Sequence, residues 1–405
     1  MIRGVGPARP RVRSGGRPSA RGNAGAVTRA GGRGLTRAAV AAALSPVVLV
    51  ALARTAVAHG TADGPPPTDP LSIATAWVLD PLPIIGIAIS TVLYLWAVRR
   101  VDRAHPGNPW PRSRTAFFLV GMASVAAALI SPLDGIADDL ASVHMVQHSV
   151  LAFLAAPCLV ASGVATLALR VASPSARDRW LLPFLHSRLV TAITFPLVGW
   201  IAMVAVMWGT HFSGVYDLAL RDESVHSLEH VAFLGAALLF WTPIFSPDPL
   251  RWRLSHPAKI LYLLSQMPTM SWLAVSILNA GVVLWPTYLA RTPYFGITAL
   301  ADQQLSGAIM WGLGDGAFMI AMGLVIWDWM KSEEAETTRV DARLARERSA
   351  RAAIDARADA LAARRAAEAV AAAPADGARP PSGGGAPSAP PAPIPPSVAV
   401  TGGDR

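Results

Sequence analysis

The chain has 405 residues, 53% hydrophobic and only 15% charged, with a mean hydropathy of +0.41. Such a balance excludes an ordinary soluble globular domain and predicts an all-α polytopic membrane protein. The formal charge of +9 is local: ten arginines precede the first acid, Asp63, and without those ten the balance is −1.

The basic character therefore belongs to an N-terminal extension. No basic patch interleaved with aromatics follows it, so the sequence carries no nucleic-acid surface. The single cysteine, Cys158, rules out an internal disulfide.

In chain order, residues 1–58 read as a basic extension and signal segment. An Arg/Gly-rich start leads into the apolar run 38–57, and small residues at Ala56 and Ala58 predict cleavage before His59. The competing reading is an uncleaved first membrane helix. Residues 59–76 form a polar, Pro-rich external linker.

Seven transmembrane helices are expected between residues 77 and 330, near 77–98, 115–131, 140–162, 189–210, 227–245, 258–284 and 304–329. Residues 331–405 then give an Ala/Arg-rich helix to about 372 and a Pro-rich tail whose composition predicts disorder. The loops alternate in charge. Loops 99–114, 170–188 and 246–259 carry several basic residues each, whereas 211–226 has only Arg221 and 285–303 only Arg291. Basic loops stay cytoplasmic, so the mature N-terminus is expected outside and the C-terminus inside.

On this topology six histidines fall at the outer side: His59, His144, His148, His211, His226 and His230. His105, His186 and His256 fall with the basic loops and read as ordinary loop residues. Two outer pairs are spaced i, i+4, which places both imidazoles on one helix face and within reach of one metal ion. His211 closes the fourth span. Asp134, Asp138, Asp139, Glu229 and Asp302 lie on the same side. Their plainer role is to cap helices or to orient a ligand.

Imidazole suits copper, zinc, iron and nickel, and thioether favours Cu(I). Met145 borders the face of His148, and Met207 lies one turn below His211, so the set leans toward copper. Cys158 lies ten residues past His148, about 15 Å along a helix, too far to share its metal. Asp315 sits inside the seventh span among Gly312, Gly314 and Gly316. An acid at that depth is a functional candidate by default.

The ordered series of motifs is more specific than any one of them. It runs Ser131-Pro132-Leu133-Asp134, then His144-Met145-Val146-Gln147-His148, then Ala155-Ala156-Pro157. It continues with Trp208-Gly209-Thr210-His211 and Tyr216, His226 and His230 before Leu239-Phe240-Trp241, Asp302-Gln303-Gln304, and Met310-Trp311. The series resembles the membrane-embedded CtaG-type family of cytochrome oxidase assembly factors across residues 77–330. That resemblance implies a bacterial plasma-membrane protein that matures haem–copper oxidases by supplying copper to the catalytic subunit. By the same resemblance His144, His148, His211, His226 and His230 are ligand candidates and Asp302 a supporting group.

The expectation is therefore a Cu(I) metallochaperone, not an enzyme. Its partners would be the oxidase catalytic subunit, other copper chaperones and the lipid bilayer. Two other readings stay open: a membrane redox protein with histidine-ligated haem, and a copper transporter or uptake component whose path Asp315 marks.

Overall fold

A computed structural model describes residues 66–372. The signal segment, its cleavage before His59, and the tail from Pro374 lie outside the described residues. Among the described residues the regular structure is helical, with no strand.

Seven principal helices organise the described residues: α1 Pro81–Ala104, α2 Arg112–Leu129, α3 Ala141–Ser149, α4 Pro196–Phe212, α5 Glu223–Phe245, α6 His256–Leu278 and α7 Ala299–Ala371. Among the described residues, six stretches are long and apolar enough to cross a membrane, those of α1, α2, α3 with its continuation to Val171, α5, α6 and α7. The fourth expected span is shorter. Its 17-residue helix α4 begins at Pro196, after a separate short helix Arg188–Ile193. Proline has no N–H to continue the earlier helix, so the helix breaks there although the apolar run continues. At 1.5 Å per residue α4 is about 25 Å long, the lower end of what spans a bilayer.

The helix α3 is not uniform. After Ser149 it widens into a π-helical stretch, Val150–Ala155, and resumes as Ala156–Ala161. The cause is Pro157, which cannot donate to the carbonyl one turn back. The shifted backbone leaves the Ala152 carbonyl to accept the Trp241 indole N–H at 2.8 Å. Gly163 then takes φ +69°, a left-handed turn that starts the next helix, Val164–Val171.

The continuation of α3 over residues 150–161 packs between α2 and α5, and α5 lies along α4. The α4–α5 approach depends on Gly199, where a Cβ would stand 2.6 Å from the Leu239 carbonyl oxygen. The shared core includes Phe233, Phe240, Trp241 and Phe318, all at most 1% exposed. Outward-facing Trp272, Leu261, Leu228 and Ile320 stay more than 60% exposed, as an apolar belt facing lipid requires.

One compact unit runs to Lys331. The other, from Ser332, holds the polar remainder of α7, braced by Arg343–Glu347 at 2.8 Å and Arg364–Glu368 at 3.0 Å. Such i, i+4 pairs support an exposed helix.

Candidate metal centre

Helix α3 starts without a cap of its own, because Leu140 at its N-terminus has no side-chain acceptor. Asp302 of α7 supplies one. Its Oδ2 accepts the Ala141 N–H at 2.6 Å, and its Oδ1 accepts the Ser142 hydroxyl at 2.5 Å. The negative charge also suits the positive end of the helix. This docked first turn carries His144, and the next turn carries His148.

Helix α5 is capped locally. Asp222 accepts from Ser224 N–H at 2.8 Å and Val225 N–H at 3.2 Å. The helix therefore begins at Glu223, and His226, Glu229 and His230 share one face. That face meets the face of α3. His144 and His226 have ring centroids 5.1 Å apart, and His148 and His230 5.5 Å apart. Two sets each bring one ligand atom per residue within 4.8 Å of the others: His144, His148 and His230, and His144, His226 and Glu229. His144 belongs to both, and all five side chains are buried.

The hydrogen bonds assign tautomers. Burial pushes the Tyr288 phenol well above its ordinary pKa, so it stays protonated. It donates to the Ala137 carbonyl at 2.9 Å. Its proton being committed there, Tyr288 accepts from His144 Nδ1 at 3.1 Å. His144 Nε2 then carries a lone pair. It faces His148 Nε2 at 3.0 Å, so His148 donates that contact from Nε2. A metal held by both Nε2 atoms requires His148 to shift its proton to Nδ1, which is buried with no hydrogen-bond partner.

Glu229 completes the pocket. Its Oε2 lies 3.9 Å from His144 Nε2 and 4.0 Å from His148 Nε2. Both its oxygens are buried without a hydrogen bond, as is His230 Nε2. A buried carboxylate beside unshared imidazole nitrogens is costly unless a cation joins them. The donor set thus fits a small metal ion.

His211 stands beside this centre. Its Nδ1 donates to the Met207 carbonyl at 2.7 Å, which leaves a buried Nε2 lone pair without a hydrogen-bond partner. Its ring is 5.4 Å from Tyr216, and Tyr216 is 4.7 Å from His144. His211 is outside both close sets. Met145 and Met207 belong to the apolar core.

The outer acids are used differently from one another. Asp134 accepts the Gln147 amide at 2.5 Å. Asp138, 44% exposed, comes within 4.0 Å of His226 Nδ1. Asp139 pairs with Arg291, although burial still raises its pKa. Arg221 pairs with Asp217. The two arginines of the otherwise uncharged-by-cation loops are therefore both neutralised. His59 lies outside the described residues. His256 pairs with Asp328 at 3.1 Å, away from the cluster.

Tyr216 is marked in the sequence only as part of the motif series, and Tyr288 and Trp285 are missed there. Tyr216 stacks on Trp285 at 4.4 Å and closes the pocket wall. Nothing in the spacing of Trp285 and Tyr288 marks them, since the loop 285–303 folds over the helix ends only in three dimensions. Asp315, by contrast, accepts from Ser271 and Trp311, each at 2.8 Å, between α6 and α7.

A helical membrane protein with imidazoles from two or more helices gathered around a carboxylate is the class so defined. The sequence profile of the cytochrome c oxidase caa3 assembly factors (Caa3_CtaG) matches residues 92–332, more than half of the chain, and the chain belongs to that family. Relatives include uncharacterized proteins of Mycobacterium bovis and Mycobacterium tuberculosis, each 28% identical over 68% of this chain. A third, from Mycobacterium leprae, is 25% identical over a similar stretch. The match covers 43% of each relative, so this chain aligns with less than half of their length. No solved structure matches.

Proposed function

We propose that this protein holds Cu(I) in the imidazole–carboxylate pocket and passes it to the catalytic subunit of a haem–copper oxidase. Membership of the oxidase assembly family supports the partner. The observation that carries the metal is the convergence of His144, His148, His230, His226 and Glu229 within two overlapping three-ligand sets. Imidazole ligates copper well, and a site of exchangeable nitrogen donors can release it by ligand exchange. A neutral–anionic donor set also stabilises a monovalent cation in a dry pocket. No bond in a substrate needs to change, so the role is a metallochaperone's rather than an enzyme's.

The pocket opens toward the outer face of a bacterial plasma membrane in this reading. Its support is the count of basic residues, several in each of the opposite loops 99–114, 170–188 and 246–259 against Arg221 and Arg291 alone in 211–226 and 285–303. The haem reading is less well supported, because 3.0 Å between the His144 and His148 Nε2 atoms leaves room for an ion and not for a macrocycle.

Anaerobic Cu(I) titration of detergent-purified protein tests the proposal. Wild type should bind tightly in competition with a Cu(I) chelator. The double variant His144→Ala/His148→Ala should remain helical and lose at least tenfold in affinity. Unchanged copper retention in that variant would refute the site, and a Soret band in wild type would favour haem.

A further inference from the structure

At the end of α4 remote from His211 lies a groove that the metal centre does not use. Its volume is about 520 Å³, and Leu197, Trp200, Tyr262 and Ser265 line it with Trp252 and Arg253. Pro196 at its edge and His211 are fifteen residues apart on one helix, roughly 22 Å along the axis.

The walls are built rather than incidental. The Trp200 indole donates to Ser265 at 3.1 Å, and the Tyr262 hydroxyl donates to the Pro196 carbonyl at 3.0 Å. Trp252 donates to the Thr191 carbonyl at 2.8 Å and packs edge-on against Phe195 at 4.9 Å. Each aromatic thus turns its polar atom to a protein partner and leaves an apolar surface to the groove. The groove sits between a membrane helix end and the short loop before α6, the level where tryptophan and tyrosine mark the membrane–water boundary.

A cation lines it. Arg253 lines the groove, and among the described residues its only side-chain hydrogen bond goes to the Asp248 carbonyl, at 3.2 Å. Arg251 lies against the Trp252 ring at 5.5 Å. Of the acids nearby, Asp248 turns its carboxylate to the Thr166 N–H at 2.7 Å, and Asp328 is engaged by His256. Among the described residues, no carboxylate lies within 4.0 Å of Arg251 or Arg253.

We propose that this groove binds one anionic phospholipid, with an acyl chain against Trp200, Leu197 and Tyr262 and the head-group phosphate at Arg253. An aromatic-walled slot open to the bilayer takes the chain, and an unpaired guanidinium takes the phosphate in fork geometry. The lipid bridges α4 and α6 and so braces the helix that bears His211.

Native mass spectrometry of the full-length protein in detergent tests this, titrated with phosphatidylglycerol or phosphatidylcholine. Wild type should bind the first phosphatidylglycerol at least fivefold more tightly than phosphatidylcholine. Arg253→Ala should abolish that preference, and Leu197→Trp, which fills the slot, should weaken both lipids. Arg179→Ala, which removes a charge outside the groove, should leave the preference intact. The proposal is overturned if wild type shows no preference, or if Arg179→Ala lowers it as far as Arg253→Ala does. It is equally overturned if soluble glycerol phosphate competes as well as the lipid, since the acyl slot would then contribute nothing.

Discussion

Asp302 caps the helix that begins at Ala141, from 161 positions further along the chain. The contact joins α7 to α3 and sets the height at which His144 and His148 meet α5. Removing the acceptor leaves buried N–H groups unsatisfied, at about 1–3 kcal/mol. Asp302→Ala should therefore lower the thermal midpoint in detergent and speed amide exchange at Ala141 and Ser142. Asp302→Asn keeps one carbonyl oxygen for those donors and should recover part of the loss. Equal exchange in wild type and Asp302→Ala would show that the cap does not hold the helix.

The pairing of Tyr288 with His144 predicts a purely electronic variant. Tyr288→Phe keeps the ring and removes the oxygen that accepts His144 Nδ1–H. The imidazole then loses the partner that fixes its tautomer and orientation. Loss of such a partner costs on the order of 10–100-fold in metal affinity. Circular dichroism should be unchanged while the Cu(I) dissociation constant rises by that factor. A wild-type constant in Tyr288→Phe would dissociate the tyrosine from the site.

The histidines should not be equivalent. His144 belongs to both close ligand sets, whereas His211 belongs to neither. His144→Ala should cost the most affinity, and His148→Ala and His226→Ala less, because each leaves one set of three. His211→Ala should change affinity by less than threefold and affect release more. The ranking is read from parallel chelator competition on the single variants. If His211→Ala proved the most damaging, the centre would have to be rebuilt around α4.

Much of this centre is legible in the sequence. Two i, i+4 pairs, each at the start of an apolar run, with loop charge on the other side, already place His144, His148, His226 and His230 together. What the pattern could not show was the depth of each ring. Nor could it show the role of Asp302 as a remote cap, since that depends on α7 packing against the α3 terminus. The break at Pro196 was equally hidden, because hydropathy runs smoothly through 189–210 while a missing backbone donor does not register in it. Tyr288 stands in a loop whose course over the helix ends is set by Trp285 and the Asp139–Arg291 pair rather than by local sequence.

The α4–α5 seam makes a separate demand. A side chain at Gly199 would meet the Leu239 carbonyl oxygen at 2.6 Å, and backbone cannot yield as a flexible side chain does. Overpacking of this kind costs typically 1–3 kcal/mol or more. Gly199→Ala should lower the thermal midpoint, and Gly199→Leu should reduce the amount of folded protein recovered in detergent. Gly209, on the same helix but facing open space, is the control: Gly209→Ala should be neutral or slightly stabilising, since alanine favours helix. Similar losses at both positions would point to general sensitivity of α4 rather than to the seam.

Asp315 separates delivery from transport. Its Oδ2 accepts from both Ser271 and Trp311, so the carboxyl is already tied to two donors on α6 and α7. A group tied in this way braces two helices, whereas a carrier's acid must exchange partners during turnover. Asp315→Asn keeps an acceptor oxygen for those donors and should leave both folding and Cu(I) affinity within twofold of wild type. Asp315→Leu removes it and should destabilise the α6–α7 contact by about 1–3 kcal/mol. Proteoliposomes provide the decisive comparison. If copper accumulates inside vesicles bearing wild type, and Asp315→Asn abolishes that accumulation while still folding, the acid lies on a conduction path and the protein moves copper across the bilayer instead of presenting it at one face.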